Sequence, residues 1–361
     1  MAVQTDHLNR SIFVSVGLPP DTSPRHQRLA RYLRQTITIS AGPVPWRGML
    51  HLASSVVIGA SVCAFMGQLR EVGIVAFAIL YVYFLDFRGS SRVRYPTILL
   101  GLLAILSLGF LGHLLAPYPL IVLALLLGGA IATGWAHGAG PRTVQIFRFG
   151  TVAFLITSVT PVIGFADLPY VAIGIIAGLL VAALEDLALG TSGPLQPGHL
   201  RSETSNLWQF PPGPRFALLY GAVATLGLFL GEHFGFARPY WVAITTLFAM
   251  QPESNATLVR LLQRVAGTFL AIPITLVLLG AVHAPVPIVL VLAIDGFLLP
   301  WALARNYLLG SLTLVVFVIA SLDLLSLPSV GGVSGFLWNR ATETVLGALL
   351  AGVGTLIAWR L

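Results

Sequence analysis

The chain has 361 residues, of which 57% are hydrophobic and only 9% charged; its mean hydropathy is +0.89 and its formal net charge +7. Soluble domains carry about 25% charged residues, so this composition excludes a soluble globular protein and indicates a polytopic membrane protein. The positive charge does not point to nucleic acid: all twenty basic residues are arginine, spread over short polar stretches instead of one patch, as when arginine sets membrane orientation.

Taken in chain order, residues 1–45 are polar, with Arg25, Arg28, Arg31 and Arg34 closely spaced, and form a cytoplasmic N-terminal segment. No apolar core follows a short basic start as in a cleavable signal, so the first helix is expected to act as the insertion signal. Six apolar helices follow near 47–67, 71–86, 96–115, 117–135, 148–165 and 169–189. Six more lie near 215–234, 239–250, 259–281, 285–303, 306–325 and 336–360. A crossing takes about 20 residues, and the second and eighth segments are short for it. The fold class expected is therefore all-α, with about twelve transmembrane helices: a first membrane repeat over 46–190, a Gly/Pro/Ser-rich cytoplasmic linker over 191–214, and a second repeat over 215–361.

Arginine placement sets the orientation. With the N-terminus inside, seventeen arginines fall on the cytoplasmic side and three, Arg70, Arg238 and Arg340, on the outer side. That asymmetry puts both termini in the cytoplasm.

The two halves echo each other. Ala116-Pro117-Tyr118-Pro119 recurs as Ala284-Pro285-Val286-Pro287, and 284 minus 116 gives an offset of 168; at that offset Gly128 meets Gly296. Six helices per half is an even number, so the halves are expected to be parallel repeats, with any pathway between them.

The most informative stretch is an apolar helix running into a polar turn and a second apolar helix. It contains Tyr240-Trp241-Val242, Thr245, Leu247-Phe248, Gln251-Pro252-Glu253, Ala256-Thr257, Arg260, Arg264 and Gly267-Thr268. This pattern resembles the signature hairpin of the fusaric acid resistance family, which overlaps the bacterial aromatic acid exporters. Arg340-Ala341-Thr342-Glu343-Thr344 and Gly347 are similar to the start of that family's last helix. The resemblance implies a multi-pass protein of the bacterial inner membrane that exports aromatic or other organic carboxylates, in some members with a periplasmic membrane-fusion adaptor. Larger relatives carry a sizeable cytoplasmic domain between the halves, for which 191–214 is far too short. The six-helix halves also resemble the membrane part of plant malate channels.

The residues support specific candidate roles. Arg260 and Arg264 stand at i and i+4, so they share a helix face; early in a helix they could hold a carboxylate with the help of its unpaired N–H groups. Thr257 and Trp241 join them as candidate substrate contacts, although Trp241, Trp301 and Trp338 also suit an aromatic belt. Asp295 falls mid-helix, where a carboxylate is costly and commonly functional, and is the candidate proton-coupling residue. Pro161, Pro273 and Pro300 are expected to interrupt their helices. Arg340 and Glu343, at i and i+3, are a candidate gating ion pair. Glu185-Asp186 near the cytoplasmic end of the sixth helix is read as solvated at the interface, and His51 as making a lone polar contact. The eight histidines show no metal-ligand spacing, Cys63 is the only cysteine, and no nucleophile motif or phosphate loop is present. No metal, cofactor or enzymatic activity is expected.

Three functions remain open: a proton-coupled exporter of organic anions, a passive organic-anion channel, and a non-transporting scaffold of an envelope complex. Expected partners are small organic anions and membrane lipid, with the adaptor implied by the resemblance; a homo-oligomer stays open.

Overall fold

The computed structural model describes residues 32–159, 164–190, 213–252, 254–280, 284–325 and 332–360. Most of the N-terminal segment, Pro161, Glu253 and positions 191–212 of the expected linker lie outside them. The described chain is helical and holds no strand. Its α-helices are α1 Trp46–Phe65, α2 Val72–Leu85, α3 Ser91–Leu115, α4 Pro119–Ala136, α5 Pro141–Val159, α6 Leu168–Leu189, α7 Gly213–His233, α8 Tyr240–Ala249, α9 Ser254–Gly280, α10 Pro285–Arg305, α11 Tyr307–Leu324 and α12 Gly332–Arg360.

Nine of these are long and apolar enough to cross a membrane. All twelve expected helices are present, but that measure does not confirm twelve spans, because α2, α5 and α8 fall short. At 1.5 Å per residue α2 is about 21 Å long and α8 about 15 Å, against a hydrocarbon core of about 30 Å. Each is cut short by an unwound stretch at its C-terminal end. Asp86 (φ −83°, ψ 86°) follows α2, and extended Met250 follows α8. Leu85, Met250 and Gln251 are all buried, which is the condition for non-helical backbone at depth. The helices run through Pro273 and Pro300 without a break, so those prolines do not interrupt α9 and α10.

Leucine, isoleucine and phenylalanine cover the outside. Leu99, Leu103 and Phe110 on α3, Val277 on α9, and Leu290, Ile294 and Leu298 on α10 are all exposed. Such continuous apolar cover marks a lipid-facing surface. Inside, glycines let backbones touch: a Cβ on Gly73 would meet the Ser321 carbonyl at 2.2 Å, and one on Gly174 the Val75 carbonyl at 2.5 Å.

The pattern of neighbours in one half returns in the other. Helix α1 packs on α2 and α6, as α7 packs on α8 and α12; α2 packs on α6 as α8 does on α12; α3 and α4 pack on α5 as α9 and α10 do on α11. The halves also exchange contacts reciprocally, α1 with α10 and α7 with α4, α2 with α11 and α8 with α5. Helices α2, α5, α8 and α11 therefore meet at the centre, where the halves face each other.

The segment before α1 lies against the second half, near the start of α9 and the junction of α10 and α11. Asn306 Nδ2 donates to the carbonyls of Thr36 (2.9 Å) and Thr38 (2.8 Å), Gln263 Nε2 donates to Thr36 (3.3 Å), and Arg305 Nη1 donates to Ser40 (2.7 Å).

Candidate functional site

A cavity of about 80 Å³ lies where the halves meet, walled by Phe77, Tyr81 and Phe84 of α2, Phe149 and Val152 of α5, Trp241 and Phe248 of α8, and Val315 and Val318 of α11. Two charged residues reach it, Arg264 from α9 and Arg340 from α12. The walls are aromatic: Phe149 stacks on Phe84 at 5.2 Å and meets Phe248 at 5.6 Å and Tyr81 at 5.5 Å.

Neither arginine snorkels to water, as each side chain belongs to a residue only 3% exposed. Arg264 is the eleventh residue of α9, about 15 Å along the helix. It therefore stands well beyond the N-terminal turns where the free N–H groups are. Its Nη1 meets Ser311 Oγ at 3.4 Å, and its Nε is buried without a hydrogen-bond partner. The Arg340 guanidinium lies over the Trp241 indole, 4.1 Å from the centroid, and its Nη1 is also without a partner. Stacking of this kind contributes about 0.5–2 kcal/mol but leaves the charge unneutralised.

The charge balance is positive. Arg264 and Arg340 are close enough to repel, and Glu343 neighbours both Arg340 and Arg238. Glu343 thus faces two guanidiniums, and Arg264 adds a third positive charge beside Arg340. Arg340 and Glu343 make no close ion pair, and Glu343 Oε1 has no hydrogen-bond partner. A buried charge without compensation is costly, by several kcal/mol. An entering carboxylate would supply two acceptor oxygens to the unsatisfied N–H donors.

The other candidates lie elsewhere. Arg260 is over the Tyr307 ring at 5.4 Å and does not line the cavity. The Thr257 hydroxyl is committed to the turn: it accepts from Gln251 N (2.9 Å) and donates to Gln251 O (3.0 Å), and Thr355 Oγ1 donates to it at 3.4 Å. This clasp lets α9 begin at Ser254, earlier than the apolar pattern places it. Asp295 is 6% exposed, and its carboxylate faces the backbone of Phe317 on α11 with Oδ2 unpartnered. It is off the cavity, behind the α11 wall.

A second polar centre, where the end of α2, the start of α3 and the end of α6 meet, was not read from the sequence as a unit. Arg94 of α3 donates through Nε to Asp86 Oδ1 (2.8 Å), through Nη1 to Asp186 Oδ1 (2.7 Å) and through Nη2 to Glu185 Oε2 (3.2 Å). His51 Nδ1 meets the same Glu185 oxygen at 3.2 Å, and Tyr95 donates to Asp186 at 2.9 Å. Glu185 and Asp186 are thus tied into a buried network, where the sequence suggested interfacial solvation. The oxygens of Asp86 and Glu185 and the nitrogen of His51 lie within 4.8 Å of one another, but Arg94 already fills the space between the carboxylates and repels a metal cation. Burial pushes the Asp86 carboxyl up, yet Arg94, His51 and the Arg88 N–H outweigh it and hold Asp86 below the usual carboxylate range.

Residues 223–354 match the profile of a family described as fusaric acid resistance protein-like. The chain is 30% identical over 156 residues to the uncharacterized membrane protein YvaC of Bacillus subtilis. It is 28% identical over 146 residues to an uncharacterized protein of Haemophilus influenzae. These matches take in 42% and 40% of the chain but only 24% and 20% of the two relatives, so the chain spans a quarter or less of their lengths. No solved structure matches. The hairpin signature at 240–268, the last-helix motif at 340–347 and both cavity arginines fall inside the matched span, and over residues 223–354 this membrane protein is similar to the fusaric acid resistance protein-like family.

Proposed function

We propose that this chain is a secondary transporter of the bacterial inner membrane that exports aromatic or other organic carboxylates through the cavity between its halves. The observation that carries this reading is the convergence of Arg264 and Arg340, both buried and incompletely hydrogen-bonded, on one aromatic-walled cavity. The guanidiniums bind the carboxylate by paired N–H donors, and the rings of Phe84, Phe149, Phe248 and Trp241 favour an aromatic body. The cavity is far smaller than the roughly 300–1,000 Å³ of ordinary ligand pockets, so passage requires the halves to move relative to each other. The repeated helix neighbours supply two bodies for such a rocking motion.

Proton coupling is assigned to Asp295, acting through α11: it faces Phe317, and α11 supplies Val315 and Val318 to the cavity wall. The same position favours a second reading, a passive anion channel, since the carboxylate touches neither the cavity nor its arginines. The arginine asymmetry supports cytoplasmic termini, and a periplasmic adaptor of the membrane-fusion type would receive the exported anion. Counterflow of radiolabelled benzoate in proteoliposomes tests the proposal: wild type exchanges benzoate, and replacing either cavity arginine slows exchange. A scaffold protein would exchange none.

A further inference from the structure

Arg148 of α5 is as deeply buried as the cavity arginines, at 2% exposure, and stands on the other face of the cavity wall. Its guanidinium lies over the Phe248 ring, 5.3 Å from the centroid, while Phe248 itself lines the central cavity. Its Nη2 meets His137 Nε2 at 3.0 Å, and His137 Nδ1 meets the Thr133 carbonyl at 3.0 Å. A carbonyl only accepts, so Nδ1 carries the hydrogen and Nε2 offers its lone pair to Arg148. His137 is therefore a neutral partner and leaves the arginine charge uncompensated.

Among the described residues no carboxylate pairs with Arg148; the ion pairs there gather around Arg94 and His51. Its Nε is buried without a hydrogen-bond partner. The Tyr220 hydroxyl nearby donates to the Leu247 carbonyl. A second guanidinium, Arg260, acts on the same His137 and Tyr220. Arg148 and Arg260 are the eighth and seventh residues of α5 and α9, so both lie about 9–11 Å from the N-terminal ends of their helices, nearer to those ends than Arg264. Arg148 thus faces a buried spot formed by a neutral imidazole, a phenol and a phenyl ring, and Arg260 adds positive potential there.

We infer that Arg148, backed by Arg260 and faced by Phe248, forms a second carboxylate-binding site on the cytoplasmic side of the central cavity, where an organic anion is held before it passes Phe248. This rests on the reading of the central cavity as an anion site. The free Nε–H and a neighbouring Nη–H are the fork that a carboxylate takes bidentately. The Phe248 ring separates the two sites and is shared by both, so its rotation is the step that connects them.

Titration calorimetry of the detergent-purified full chain with benzoate tests this. Wild type should bind two benzoates. Arg148→Gln should bind one and keep the affinity of the remaining site, whereas Arg264→Gln should lose the other site. Arg148→Lys keeps the charge and removes the fork, so it covers the case in which the glutamine variant does not fold; it should weaken only the second site, by about tenfold or more. A wild-type stoichiometry of one, or a second site of unchanged affinity in Arg148→Lys, overturns the inference. Two sites that both survive Arg264→Gln would instead overturn the reading of the central cavity, so the two failures are distinguishable.

Discussion

Arg264 of α9 and Arg340 of α12 line one cavity, although the sequence places them near opposite membrane faces. Each lies about 12–15 Å along its helix, and α9 packs directly on α12, so the side chains meet at mid-depth. Arginine near a helix end ordinarily snorkels to the interface. These two are 3% exposed and retain N–H groups without partners, a geometry that costs stability unless an anion completes it.

Close approach of α12 to α8 positions Arg340 over Trp241. A Cβ on Gly347 would meet the Val242 carbonyl at 2.6 Å and Thr245 Cβ at 2.7 Å, and a backbone carbonyl has little room to move. Gly347→Ala should therefore lower thermal stability by about 1–3 kcal/mol. Gly128→Ala, where nothing lies within 4 Å, should be neutral or gain up to about 1 kcal/mol of helix propensity. Fluorescence-detected size-exclusion chromatography after a heating series compares them, and equal loss in both would refute the packing argument.

Arg94 holds three carboxylates from two other helical segments, so Arg94→Met should destabilise the protein by about 3–5 kcal/mol. Acid should act on the same network. Asp86 is held below its ordinary range in the folded state, so its contribution is complete above its unfolded value of about 3.9 and is lost as pH falls through the lower folded value. The apparent Tm of wild type should stay level through this part of the titration until pH drops below about 4, then fall. The methionine variant should start lower and lose less of its stability in acid. A wild-type Tm already declining steeply near pH 6 would assign acid sensitivity to another group.

The membrane class, the order of the helices and the shortness of α2 and α8 were legible because apolar runs and polar turns report directly on lipid burial. The hairpin was legible too, and Gly347 within the last-helix motif proves to be a contact point of α12 on α8. The site was legible only in pieces. Arg264, Arg340 and Trp241 each stood out, but their meeting depends on α9–α12 packing, which no local pattern encodes. Arg260 and Arg264 share a face by spacing, yet α11 offers Tyr307 to one and Ser311 to the other and parts them. The Arg94 network draws on α3, α6 and the end of α2, so Glu185 and Asp186 read singly gave no sign of it.

Asp295→Asn separates coupled export from passive passage. The substitution mimics a protonated carboxyl and leaves the cavity arginines untouched. It should abolish the dependence of benzoate efflux on an imposed pH gradient while benzoate exchange without a gradient continues. Gradient-driven efflux at the wild-type rate in this variant would remove Asp295 from the mechanism and favour the channel reading.

The central claim is that Arg264 and Arg340 together bind the transported carboxylate. Its most direct test is benzoate counterflow at limiting concentration in proteoliposomes containing wild type, Arg264→Gln, Arg340→Gln or the double variant, with correct insertion checked by size-exclusion elution. Loss of one charged, buried hydrogen-bonding partner is worth about 1.5–3 kcal/mol, so each single variant should exchange roughly 10- to 100-fold more slowly. The double variant should lose less than the product of the two, because both groups act on one ligand. Exchange at the wild-type rate in both single variants would contradict the account.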